Sequence, residues 1–209
     1  MSQNPFSSHQ SEHPYALLIE EADRKKQNGE HLEAIKLCES ILSDDLDCTE
    51  AYEEIGDNYL SLRQYQKARK ALEKAIEIDA DSANANYLLG FVHSCLGRWQ
   101  NSVELLEKAD KHLPNHPEIL RCLGWSMFHE GQKKRGIILL ERALHLASMD
   151  TLIMCDLGVC YLNEKNFEKA SFLFKKALQL DPSNQKAKEC LNAVNFFEKE
   201  YKKLREKKD

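Results

Sequence analysis

The sequence repeats itself every 34 residues. Ala22, Gly56, Gly90, Gly124 and Gly158 stand 34 apart, and so do Ala34, Ala68, Ser102, Gly136 and Ala170. Ile41, Ala75, Ala109, Ala143 and Ala177 form a third series at the same period. Large residues run between them: Ile55, Leu89, Leu123 and Leu157, then Leu72, Leu106, Leu140 and Phe174. A fixed period of this length means that each unit is one supersecondary element. Such a unit cannot bury its apolar face alone and buries it by stacking on its neighbours.

The residue sizes say which element. Two helices approach closely only where the side chains at their crossing are small. Gly or Ala at the eighth and twentieth positions of each unit meets that need, and large residues beside them fill the remaining space. Ala at the twenty-seventh position serves the next unit in the same way. First helices are therefore predicted near 15–28, 49–62, 83–96, 117–130 and 151–164. Second helices are predicted near 31–44, 65–78, 99–112, 133–147 and 167–180. Gly29, Gly97, Gly131, Pro114 and Pro182 fall in the turns.

The pattern resembles the tetratricopeptide repeat (TPR). The second unit carries Tyr52, Ile55-Gly56, Tyr59, Tyr65, Ala68, Leu72 and Ala75. The fifth carries Leu157-Gly158, Tyr161, Phe167, Ala170, Phe174, Ala177 and Asp181-Pro182. The third follows closely. The fourth departs at Gly136, where Ala is usual, and at Ser148, where Pro is usual. The first departs at Glu21 and Lys25, as suits an end unit with a wet outer side. The resemblance implies an all-α fold: a right-handed α-solenoid of five TPR helix pairs (15–48, 49–82, 83–116, 117–150 and 151–184) plus a C-terminal capping helix within 185–209. In that helix Ala187, Leu191, Val194 and Phe197 are expected to pack on the fifth unit. Residues 1–14 are polar and are expected to form a disordered tail.

Composition narrows the function. A net charge of −5 disfavours general nucleic-acid binding. The charge is uneven: 15–82 holds 17 acidic and 9 basic residues, whereas 185–209 holds 5 acidic and 8 basic. No apolar run reaches the length of a membrane span and no secretory signal is visible. Seven cysteines without a disulfide framework fit a reducing compartment, so a cytoplasmic location is expected.

Catalytic motifs are weak. Cys155 and Cys160 lack the spacing of a zinc site, and they read as small buried residues. His112 and His116 flank a turn, and His93 takes a position where the repeat usually has Tyr. His9 and His13 lie in the tail. No phosphate loop, nucleophile elbow or zinc-protease motif occurs. The chain is therefore expected to have no catalytic, metal or cofactor site.

By the same resemblance, the first helices line a concave groove, exposing the second, fifth, ninth, twelfth and thirteenth positions of each unit. The residues there that would bind a partner are Asp23, Glu50, Glu53 and Asp57 in the first two units. In the last three they are Tyr87, Phe91, Arg121, Trp125, Phe128, Val159 and Leu162. Aromatic residues and Arg are common binding anchors. TPR co-chaperones that hold acidic chaperone tails need Lys and Asn at set positions. This chain has Ile19, Asp23, Glu54, Asn84 and Leu88 there, so that carboxylate clamp is missing. The expected role is a non-catalytic scaffold or chaperone-like adaptor for a protein segment that is apolar or aromatic and carries basic residues. A homodimer, or a chaperone of a bacterial secretion system, is the alternative.

Overall fold

The computed structural model describes residues 14–206, of which eleven α-helices and no strand are the regular elements. Residues 1–13 of the expected disordered tail and the last three of the basic tail lie outside the described residues. The chain falls into two compact units. Unit 1, to Pro114, holds α1 (Ala16–Gln27), α2 (His31–Asp44), α3 (Thr49–Ser61), α4 (Tyr65–Ile78), α5 (Ala83–Cys95) and α6 (Trp99–His112). Unit 2, from Asn115, holds α7 (Pro117–Glu130), α8 (Lys133–Leu146), α9 (Thr151–Asn163), α10 (Phe167–Leu180) and α11 (Gln185–Glu206). The helices begin and end within a few residues of the positions that the 34-residue period predicts.

Within each unit, the small-residue series marks the closest helix approaches. A Cβ added at Gly56 would fall on Leu72, at Gly90 on Leu106 and at Gly158 on Phe174. The α7–α8 pair is tighter still. There Gly124 and Gly136 face each other, and an added Cβ on either would meet the other's carbonyl oxygen. This explains why the fourth repeat has glycine where alanine is usual. In the third repeat, Ser102 sits at the same position. Its hydroxyl, buried within the α5–α6 pair, donates to the Gly90 carbonyl at 2.7 Å.

The turn between paired helices also recurs. The fifteenth position of each repeat takes a left-handed backbone: φ is 82° at Gly29, 69° at Gly97 and 112° at Gly131. The same position is Arg63 in the second repeat and Lys165 in the fifth, with φ of 55° and 60°. Glycine adopts this conformation without steric cost, whereas a side chain there is strained. Side chains cap the starts of three helices: Ser82 for α5, Asp150 for α9 and Asn166 for α10.

The core of unit 1 is built from Ile35, Cys38 and Ile41 against α3, and from Leu72, Leu88 and Val92 between α4 and α5. That of unit 2 centres on Phe174, Met154, Leu157 and Val194. The helix α11 packs on α9 and α10 in the place of a sixth first helix. Ala187 and Val194 are fully buried, as expected, but Phe197 is 51% exposed and does not pack into the core. The eighth position of this sixth unit is Asn192, exposed to solvent, where the earlier repeats have Ala22 or a glycine for a second helix to press on.

Candidate partner-binding faces

The five first-helix positions do not behave alike. The second, ninth and thirteenth are open or half-buried in every repeat, whereas the twelfth is packed, at Leu60, Ser94 and Phe128. Phe128 is only 4% exposed and is a core side chain of unit 2. Cys155, at the fifth position, is likewise buried. These two sit on the flank of the helix that meets its neighbour, not on the open face.

Unit 1 gathers Asp23, Glu50, Glu53, Asp57, Tyr87 and Phe91 on its successive first helices α1, α3 and α5, each packed beside the next. At the twelfth position of the first repeat stands Lys26, its side chain only 12% exposed. Burying an ammonium requires compensation. Three carboxylates supply it: Nζ lies 3.0 Å from Asp23, 3.0 Å from Glu54 and 2.8 Å from Asp57. Burial alone would lower the Lys26 pKa, but Glu54 and Asp57 outweigh it and hold the amine above the ordinary lysine range. For Glu54 burial is the largest influence, and despite Lys26 its pKa is pushed up to about 7.

Glu53 is almost fully buried and accepts hydrogen bonds from Ser82 and from Asn84 Nδ2, the latter at 2.8 Å. Burial raises its pKa as well. Glu50 is exposed at the rim. Tyr87 and Phe91 are half-buried on α5 against Leu88 and Val92. One compact unit thus presents an acidic stretch beside an aromatic one.

In unit 2, Arg121 is drawn into an ion network. Its Nη1 donates to Asp156 at 2.7 Å, its Nε to Glu118 at 3.0 Å, and Lys186 Nζ reaches the other Asp156 oxygen at 2.9 Å. Asp156 is 5% exposed. Trp125 packs against His129 with ring centroids 4.3 Å apart and planes tilted by 58°, and Lys186 lies over its ring at 5.8 Å. Val159 and Leu162 are half-buried against the core. The charged and aromatic groups of this face therefore satisfy one another.

Glu54, Glu118, Asp156 and Lys186 escaped the sequence reading. The signal for Glu54 was Lys26 itself, a charge at a position that is Leu60, Ser94, Phe128 and Leu162 in the other repeats. A lysine there needs a carboxylate one helix away. The buried thiols are poor nucleophiles: burial pushes Cys38 and Cys160 up to about 12 and Cys155 up to about 11. No helix among the described residues is long and apolar enough to cross a membrane.

Comparison with known proteins agrees with this architecture. The tetratricopeptide repeat model matches residues 152–184, and the TPR repeat model matches residues 56–94. No curated protein matches the chain by sequence. Among solved structures, Pseudomonas aeruginosa pilF is 14% identical with a TM-score of 0.72, covering 88% of this chain and 90% of that one. A thermophilic TPR protein from Thermus thermophilus is 16% identical with a TM-score of 0.71, covering 86% of this chain and 98% of that one. YrrB, a TPR protein with an unusual peptide-binding site, is 22% identical with a TM-score of 0.64, covering 82% and 89%. At these identities the likeness is one of fold, and it accords with the repeats, the helix pairs and the two family matches: the chain is a tetratricopeptide-repeat protein.

Proposed function

We propose that the chain is a non-catalytic interaction scaffold whose unit 1 docks a basic, apolar segment of a partner protein on the face formed by α1, α3 and α5. The observation that carries this reading is the excess of carboxylate there. Lys26 answers only one of the charges of Asp23, Glu54 and Asp57. Tyr87 and Phe91 next to them give an apolar side chain a place to rest. A segment carrying Lys or Arg and one or two large apolar residues complements both halves. The same acidic face repels a carboxylate tail. The reading fits a protein of a reducing, cytoplasmic compartment.

A labelled amphipathic peptide of Lys and Leu, about four helical turns long, tests this on the full chain by fluorescence anisotropy. Glu50→Lys and Phe91→Ala should each weaken binding by about tenfold, equivalent to ~1.4 kcal/mol. Equal affinity for wild type and both variants rules the site out. The pH dependence has a definite sign. Glu54 is partly protonated near its raised pKa of about 7, so its attraction for a cation grows as pH rises from about 6 to 8. Binding should tighten over that window in wild type and lose much of that dependence in Glu54→Gln.

Self-association is a second reading, favoured by Phe196, Phe197 and Leu204, which stand exposed near the end of α11. If it holds, light scattering shows a mass that rises with concentration in wild type and stays at one chain in Phe197→Glu. A constant single-chain mass in wild type removes it.

A further inference from the structure

The second helices of unit 2 carry a feature that the first-helix faces do not. At the twenty-second position the first three repeats have Lys36, Lys70 and Glu104. The last two have Ile138 and Phe172, which are 61% and 65% exposed. A position that is charged in three repeats and apolar on the surface in two is not needed for packing. Charge changes in the same place. Along α8 and α10 seven basic residues stand against two acidic ones, Glu141 and Glu168, whereas along α2, α4 and α6 the balance is seven against eight.

Phe172 lines an open groove between α8 and α10, of about 490 Å³. Half-buried Leu144 lines its wall, and the core residues Leu157 and Leu173 form its floor. At one end Tyr161 donates to Glu141 and Lys169 bonds the tyrosine oxygen at 3.2 Å, so the single carboxylate of the groove is already answered. At the other end the groove is lined by His145 and Lys176, for which no carboxylate partner occurs among the described residues. An exposed Phe172 and a half-buried Leu144 beside a cationic end mark an interaction site rather than a solvated surface.

We propose that this groove is a second docking site, which takes an acidic protein segment anchored by a large apolar side chain. The recess holds the anchor against Leu144 and Phe172, and carboxylates of the same segment face Lys176 and the basic residues around it. A recess of this size suits an inserted side chain, whereas a flat lipid surface would leave the half-buried Leu144 uncovered. The site is independent of the unit 1 face and prefers the opposite charge.

The test uses the full chain and a labelled amphipathic peptide of Glu and Leu, about four helical turns long. We expect saturable binding by anisotropy, lost when the leucines of the probe are replaced by serine. Phe172→Glu and Lys176→Glu, each checked for retained helicity by circular dichroism, should weaken it at least about tenfold. Glu50→Lys on the other face should not weaken it. Failure of the acidic probe to bind, or binding that both groove variants leave intact, overturns the proposal. Sedimentation with phosphatidylserine vesicles covers the lipid outcome: if vesicles bind through Phe172 and the probe does not, the surface faces a membrane and the proposal fails. Because the basic-peptide assay reads α1, α3 and α5 alone, loss of either site is seen separately.

Discussion

Gly136→Ala destabilises the protein by about 2 kcal/mol, and Gly136→Val by more, in urea unfolding followed by circular dichroism. Replacing a glycine inside a helix with alanine ordinarily gains up to about 1 kcal/mol of helix propensity. At Gly136 that gain is overridden. The new Cβ would lie 2.5 Å from the Gly124 carbonyl oxygen, 2.7 Å from the Phe128 nitrogen and 3.0 Å from its Cα. All three are backbone atoms of α7, and no side chain can swing away to make room. The pair of helices must separate, which loosens Phe128 and Leu140 together. At Gly56 the nearest atoms belong to the Leu72 side chain, so the same change there should cost less. A neutral or stabilising Gly136→Ala would show that the α7–α8 approach is looser than described.

Arg121→Ala is expected to cost about 3 kcal/mol or more, because it strands Asp156 as a buried carboxylate with only the half-exposed Lys186 for company. Asp156→Asn in the Arg121→Ala background removes the charge and should restore much of the loss at pH 7. If the double variant is no more stable than Arg121→Ala, the ion network is not what positions Arg121.

The helix pattern was legible in the sequence because the closest helix approaches demand small side chains at fixed places. Gly56, Gly90 and Gly158 therefore announced the pairs directly. The open face was less legible. Its outer positions follow the period, but the twelfth does not face outward, and Phe128 and Cys155 are packed on the flank toward the next helix. Charge compensation across helices was legible only in part, since Asp23 and Asp57 share the period with the open positions while Glu54 does not. Nor does a list of surface positions show that Arg121 spends its guanidinium on Asp156 and Glu118. The α8–α10 groove lay outside any reading that starts from the first helices.

Opposite charge preferences on the two proposed docking faces give the scaffold a rule of exclusion. A single partner segment cannot saturate both, because the basic residues that suit Glu50 and Asp57 are repelled around Lys176. Two partners of different character can be held at once. Raising salt should weaken both attachments, since each depends on charge near the surface.

The left-handed turn position separates two properties that evolution usually has to trade. Arg63 and Lys165 hold a backbone conformation that Gly29, Gly97 and Gly131 reach without strain. Both side chains are exposed, and neither lies among the carboxylates of α1 and α3 or in the groove between α8 and α10. Stability can thus drift up or down at these two turns while the α1–α3–α5 face and the α8–α10 groove stay as they are.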